Sequence, residues 1–282
     1  MYGQAERLLE LRNNIIEADR GDKKKIIAFT SGKGGTGKTF LSLNTAYALS
    51  RNNKILYIDL DQNLSNANIM INEVPVNTLY NFFSGKNLLR ELISETYPQL
   101  HFIFGDSGKL GYLNKKNSSL NQLFNQLNEL ELLYDFIILD TGSGAGSEIF
   151  STLLHADVNI IVTTTEPTAI MDAYAMLKLL KKNNYKGKKE IIVNKCNDVA
   201  DGNAAFNNLE LASNHFMNER LSLLGIINYD RAVSDSIIAQ ELILKSDPSL
   251  PICKRISEIS DQISEYANIL PAGKQVANIH QR

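Results

Sequence analysis

Cysteine is scarce in this chain. Only Cys196 and Cys253 are present, far apart and in no CxxC spacing. That excludes a disulfide framework, a thiolate zinc site and a self-contained four-cysteine cluster. Histidine is nearly as rare, and His101, His155, His215 and His280 are too scattered to mark a histidine-rich metal site. No apolar run approaches the roughly 18 residues of a membrane span, and the first ten residues are too polar for a signal peptide. Neither sign of charge dominates: 29 Lys and Arg stand against 31 Asp and Glu, a formal net charge of −2. A broad nucleic-acid-binding face is therefore not indicated, although a local basic patch is compatible with these totals. The expectation is a cytoplasmic protein, with 282 residues for one large core or two modest ones.

What the chain does have is short Ile- and Val-rich runs alternating with helical patterns. The runs are Lys25–Thr30, Lys54–Asp59, His101–Phe104, Asp135–Asp140, Val158–Thr163, Glu190–Asn194 and Leu223–Asn228. Several are apolar throughout, as strands buried on both faces of a parallel sheet are. Between them lie helical patterns over Lys38–Ser50, Leu120–Glu131, Ala169–Lys182, Ala204–Asn218 and Ile252–Leu270. The alternation predicts an α/β fold with a single doubly wound, mostly parallel β-sheet and helices on both faces. Ahead of it, Ala5, Leu8, Leu11, Ile15 and Ile16 fall at helical spacing, followed by a polar connector. After Pro271 no apolar periodicity remains, as in a frayed tail. The predicted division is residues 1–22 (helix and connector), 23–270 (α/β domain) and 271–282 (tail).

The first predicted strand runs into Ser31-Gly32-Lys33-Gly34-Gly35-Thr36-Gly37-Lys38-Thr39, and then a helix. This satisfies GxxxxGK[ST], in which glycines let backbone N–H groups turn inward onto phosphate oxygens. Lys38 reaches the β- and γ-phosphates, Thr39 offers its hydroxyl to Mg²⁺, and the helix N-terminus adds positive potential. The same stretch reads as GxGxxG through Gly32, Gly34 and Gly37, with Asp59 about 20 residues on, as in a dinucleotide-binding fold. Lys38 and Thr39 decide between the two, since a dinucleotide site has no role for them and a Mg²⁺-triphosphate site needs both.

Asp59, Asp61 and Asp140 stand at or just beyond the ends of two predicted strands, facing the crevice where ligands of such sheets bind. One carboxylate can hold the waters around Mg²⁺ while another orients the attacking water. Taken singly, an Asp after a strand is as readily a helix cap or turn residue. Asn194-Lys195-Cys196-Asn197-Asp198 approaches the NKxD guanine clamp, but its acid falls one residue late. The sequence therefore favours adenine, with Asn194 free to bond the adenine amino group.

The loop from Lys33 to Thr39 resembles the deviant Walker A motif of the MinD/ParA family of dimerising ATPases, and the resemblance extends over Lys24–Leu270. It implies that Lys33 reaches the partner subunit's ATP, that Lys38 acts in cis, and that Asp61 positions the hydrolytic water. It also implies Mg²⁺ held by Thr39, Asp59 and Asp140, partly through water. Nucleotide contacts are implied for Gly34, Gly35, Thr36, Gly37, Phe40, Asn194 and Asp230. Within the family, Thr164–Ala175, Tyr229–Val233 and Gly3–Leu11 are similar to the flagellar MinD-like branch called FlhG, FleN or YlxH. That likeness implies an ATP-dependent homodimer controlling flagellar number or placement, acting on an FlhF-type GTPase. It also implies contact with a flagellar switch-complex (C-ring) protein through Gln4–Leu11, and a cytoplasmic protein that can sit peripherally at the membrane or cell pole. Gly3, Leu9, Asn63, Asn68 and Asn228 depart from the branch pattern, but none removes a phosphate or Mg²⁺ ligand.

Three readings compete with these expectations. The stripe Ile252, Ile256, Ile259, Ile263, Tyr266 and Leu270 suits either a membrane-surface helix or the last helix of the core. Its mixed-charge opposite face favours the core. Lys181, Lys182, Lys186, Lys188 and Lys189 suit either DNA or a solvated helix end, and the second is favoured, so no nucleic-acid partner is expected. The N-terminal helix is either a structural cap or a partner-binding element. A ParA/MinD-type positioning ATPase for another cargo and a nucleotide-stabilised scaffold without turnover are the alternative functions.

Overall fold

Alternation along β1 (Ile26–Ser31) sets the plan of the molecule. Its residues are all buried, with Ile26 and Ala28 in one core and Ile27 and Phe29 in the other, because successive strand side chains point to opposite faces. The same division recurs in β2 (Ile55–Leu60), where Leu56 and Ile58 join the first core and Ile55 and Tyr57 the second. A computed structural model describes residues 26–61, 65–106 and 117–268. The predicted N-terminal helix and the C-terminal tail lie outside the described residues.

The remaining strands are β3 (Ser94–Tyr97), β4 (Leu100–Ile103), β5 (Phe136–Ser143), β6 (Val158–Thr164), β7 (Lys188–Cys196) and β8 (Ser222–Asn228). One sheet results, in the order β3-β4-β2-β5-β1-β6-β7-β8. Every neighbouring pair is parallel except β3 with β4. The chain builds outward from β1 to one side and later to the other, so the strand order reverses there. A crevice opens at such a point beyond the carboxyl ends of the strands.

The described helices are α1 (Lys38–Leu49), α2 (Ala67–Met70), α3 (Leu79–Phe83), α4 (Asn117–Leu130), α5 (Ser147–His155), α6 (Pro167–Lys182), α7 (Val199–Met217), α8 (Arg231–Ile238), α9 (Ile243–Ser246) and α10 (Pro251–Asn268). Residues of α4, α6 and α7 fill the first core, and α1, α9 and α10 fill the second. On α10, Ile252, Ile256, Ile259, Ile263 and Tyr266 are all buried. Burial of each such side chain contributes about 1.5–3 kcal/mol, so this helix is the last layer of the core; Leu270 lies outside the described residues.

Seven predicted strands are present with ends shifted by up to three residues, and β3 was not foreseen. It is a four-residue edge strand, half-exposed and without an apolar run. Helices α2, α3 and α9 were also missed, being four or five residues long, as were α5 and α8, which bury only Thr152 and Leu153, and Ser236. Proline opens α6 at Pro167, where its missing N–H costs nothing.

Candidate nucleotide site

The loop between β1 and α1 is held from three sides. At its start Gly32 lies so close to α6 that a Cβ there would sit 2.5 Å from the Asp172 Cβ, which only glycine permits. At its end Gly37 has φ +90°, in the left-handed region. A Cβ on Gly37 would meet the Asn194 Nδ2 at 2.4 Å. From the end of β7, Asn194 Nδ2 donates to the Thr36 carbonyl at 2.7 Å and Lys195 Nζ donates to the Gly35 carbonyl at 2.7 Å. With these carbonyls engaged, the concave side of the loop is left to N–H groups.

Lys38 and Asp140 form a buried ion pair at 2.8 Å, 6% and 0% exposed. The Thr39 hydroxyl donates to the other Asp140 oxygen at 2.7 Å. Asp59 pairs across the sheet with Asp140, from β2 to β5. It accepts from the Ser65 hydroxyl at 2.7 Å, the Asp61 N–H at 3.0 Å and the Ala67 N–H at 3.2 Å. Burial, and then the charge of Asp140, hold the Asp59 carboxyl well above the usual carboxylate range. The same two causes, in the same order, raise the Tyr57 phenol beneath, which shares a 2.9 Å hydrogen bond with Ser42.

A pocket of about 310 Å³ follows from this arrangement, lined by Gly34, Gly35, Thr36, Gly37, Lys38, Thr39 and Phe40 and closed by Asp61, Asn66, Met70, Ser143 and Ile237. Asp61 stands beside Gly142 at the end of β5, where a Cβ on that glycine would lie 3.5 Å from its Oδ1. Two features suit a phosphate–Mg²⁺ group. The Thr36 hydroxyl is buried with no partner, and of two buried carboxylates side by side in the sheet only Asp140 is paired with Lys38. Among the described residues no group of three or more His, Cys, Asp and Glu forms a protein-only metal cage. A hard cation sharing its ligands with phosphate and water fits this donor set.

The remaining expected residues lie apart. Lys33 does not line the pocket; its Nζ is bonded to the Glu166 carboxylate and, at 3.2 Å, to the Thr168 hydroxyl. The Asn194 Nδ2 is committed to the loop, which leaves Oδ1, the acceptor that an adenine amino group requires. Asp230 caps α8 through the Ala232 N–H at 2.9 Å. It borders a second cavity of about 500 Å³ with Asn228, Tyr229 and Arg255, instead of the phosphate pocket. Sequence reasoning missed Lys195, Glu166, Ser65 and Asp172. Lys195 left a trace as the residue after Asn194, and Glu166 and Asp172 fall within Thr164–Ala175, noted above only for its likeness to the flagellar branch.

Two lysines of the basic cluster, Lys188 and Lys189, are paired with carboxylates and a third, Lys181, with a carbonyl. Lys181 bonds the Met217 carbonyl, Lys188 pairs with Glu190 and lies 3.9 Å over the Tyr266 ring, and Lys189 pairs with Glu219 at 3.0 Å. Among the described residues no helix is long and apolar enough to cross a membrane.

Comparison with known proteins agrees with this geometry. A family model described as an AAA domain matches residues 24–193. The flagellum site-determining protein YlxH of Helicobacter pylori is 32% identical, over 92% of this chain and 90% of that protein. The antiactivator FleN of Pseudomonas aeruginosa is 25% identical over 88% of each. The cell division ATPase MinD of Pyrococcus furiosus superposes with a TM-score of 0.74 at 22% identity, covering 86% of this chain and 100% of that one. Its counterpart from Pyrococcus horikoshii, solved with Mg-ADP, gives 0.72 at 22% identity, over 85% of this chain and 95% of that one. The strand order, the phosphate loop and these relatives together place the chain: it belongs to the AAA-domain family of MinD-like P-loop ATPases, in the flagellar branch with YlxH and FleN.

Proposed function

We propose that this chain is an ATP-dependent switch that pairs with a second copy when ATP is bound, and that it controls flagellar number or placement. The observation that carries the chemistry is the buried Lys38–Asp140–Thr39 cluster beneath an open phosphate loop, with Asp59 beside it. The relatives named for flagellar site determination and antiactivation carry the cellular role. Thr39, Asp59 and Asp140 would hold Mg²⁺, partly through water, and the ion would supply charge neutralisation to the phosphates. The N–H groups from Gly34 to Thr39 bind phosphate oxygens, Lys38 donates to them in cis, and Lys33 adds charge from the partner copy. Asp61 orients the attacking water. Preorganised charge of this kind stabilises a loose phosphoryl-transfer transition state.

Base selection follows from Asn194. With Nδ2 held by the Thr36 carbonyl, the free Oδ1 accepts the amino group of adenine and repels the carbonyl oxygen of guanine. Asp230 and Phe40 complete the nucleotide contacts.

Residues 1–22 serve as a partner element for a switch-complex protein through Gln4–Leu11 and for an FlhF-type GTPase. Residues 23–270 form the ATPase domain and 271–282 a tail. The protein works in the cytoplasm, with peripheral placement at the membrane or cell pole. No nucleic-acid partner is proposed, because Lys181, Lys188 and Lys189 are spent on internal partners.

Size-exclusion chromatography with light scattering, with and without ATP and Mg²⁺, tests the switch. An Asp61→Ala chain is expected to accumulate as an ATP-bound dimer because it hydrolyses slowly. A chain that stays monomeric with ATP in both forms defeats the scheme. Phosphate release that stays silent with and without an FlhF-type partner favours the scaffold alternative.

A further inference from the structure

Asp140 must release Lys38 before that lysine can serve a phosphate. Lys38 holds one Asp140 oxygen at 2.8 Å, and the Thr39 hydroxyl donates to the other at 2.7 Å. The carboxylate is fully buried, with the equally buried Asp59 opposite it in the sheet. Taking the cation from a buried ion pair and supplying nothing in its place is strongly unfavourable. The movement of Lys38 onto phosphate therefore needs another donor for Asp140.

Tyr57 is placed to be that donor. It lies on β2 opposite Ile138 of β5, two residues before Asp140, and both Tyr57 and Ile138 belong to the second core. Alternate residues of a strand share a face, so the Tyr57 ring and the Asp140 carboxylate stand on the side of the sheet that α1 covers. Two strand residues span roughly 6.6 Å, which a tyrosine side chain can bridge. The ring is fully buried, and its hydroxyl lies 2.9 Å from the Ser42 hydroxyl of α1.

Ser42 donates its own proton to the Thr39 carbonyl at 3.0 Å. At the 2.9 Å contact serine is thus the acceptor and the phenol the donor. Burial, and then the charges of Asp140 and Asp59, hold the phenol well above its usual range, so Tyr57 keeps its proton. That proton has two acceptors, the Ser42 oxygen and the Asp140 carboxylate. Exchanging one for the other takes a turn of the O–H bond and displaces no heavy atom.

We propose that Tyr57 is a positioning residue acting through Asp140: its hydroxyl donates to Ser42 while Lys38 is paired with Asp140, and turns to Asp140 when Lys38 moves to a phosphate. This rests on the reading of the loop as a triphosphate site. The phenol keeps the freed carboxylate oriented and makes release of the lysine less unfavourable. Ser42 retains its bond to the Thr39 carbonyl, so the exchange leaves no donor stranded.

Equilibrium titration of a fluorescent ATP analogue into dilute protein, in EDTA and again in excess Mg²⁺, compares the full chain with Tyr57→Phe and Ser42→Ala. In EDTA, Tyr57→Phe should weaken binding on the order of 10- to 100-fold, the worth of a hydrogen bond to a charged group. In Mg²⁺ the loss should shrink, because water on the cation can donate to Asp140 in place of the phenol. Ser42→Ala removes the competing acceptor and leaves the phenol to Asp140, so it should bind like the parent, to within about twofold. Urea unfolding without nucleotide is the control for packing, and the two variants should have similar midpoints. A merely structural hydroxyl pair would weaken binding equally in both variants and in both media. Such equal losses, or a Tyr57→Phe chain that binds within about twofold of the parent in EDTA, overturn the role of Tyr57. A parent that binds the analogue in neither medium overturns the triphosphate reading, and this role with it.

Discussion

Two glycines of the phosphate loop allow strain and collision to be measured separately. Gly35 and Gly37 both have left-handed backbone, φ +79° and +90°. Around Gly35 nothing lies within 4 Å of an added Cβ, whereas at Gly37 the Asn194 amide nitrogen lies at 2.4 Å. Gly35→Ala therefore meets only backbone strain, about 1–2 kcal/mol. Gly37→Ala meets the same strain and must also expel Asn194, breaking its bond to the Thr36 carbonyl. An unpaired buried polar group adds about 1–3 kcal/mol, for a total of roughly 2–5 kcal/mol. Urea unfolding of the nucleotide-free protein, fitted for each variant, gives both numbers. Adding Asn194→Ala removes the obstacle, so the Gly37→Ala/Asn194→Ala pair should cost about 1–3 kcal/mol less than the sum of its singles. If the two glycine variants lose equal stability, or if the double variant is additive, the account of how β7 braces the loop is wrong.

Asp140→Ala leaves the Lys38 ammonium buried without its carboxylate, at a cost of about 3–5 kcal/mol. Calorimetry should show melting lowered by roughly 6–15 °C, and an unchanged transition would show that the pair is solvated. Ile256→Ala, at a fully buried position of α10, should cost about 2–5 kcal/mol in urea; a loss under 1 kcal/mol would mean that this helix does not seal the core. Burial pushes the Cys196 and Cys253 thiols from 9.0 up to about 11. The folded chain then keeps protons that the unfolded chain sheds, so this contribution is intact below about pH 9 and is lost as pH rises towards 11. Both thiols should resist an aromatic disulfide reagent at pH 8 and titrate fully in urea, and rapid stoichiometric labelling of the native protein would contradict their burial.

The phosphate loop was readable because its chemistry sits in consecutive residues, and the parallel sheet because strands buried on both faces leave unbroken apolar runs. What braces the loop was not readable. Asn194, Lys195 and Glu166 lie 158, 160 and 133 positions from the residues they bond, and no local periodicity announces such pairs. Asn194 was identified as a base contact, yet the sequence gives no sign that its amide nitrogen is already committed. Asp230 shows the opposite case, where a residue expected at the nucleotide has visible work as the cap of α8. The elements that escaped notice either bury little, as β3, α5 and α8 do, or span only four or five residues, as α2, α3 and α9 do, and so leave little pattern.

The two borders of the sheet are finished differently. At one, β3 is four residues long, antiparallel and irregular in register. At the other, the Arg255 side chain donates to the Ile226 carbonyl of β8 at 3.2 Å and occupies a backbone acceptor that another strand would use. Neither border is a good template for a strand from a neighbouring molecule. Copies of this chain can thus reach high local concentration with little risk that their sheets fuse edge to edge into fibres. The pairing proposed above would then be left to the strand-end surface, which carries the phosphate loop.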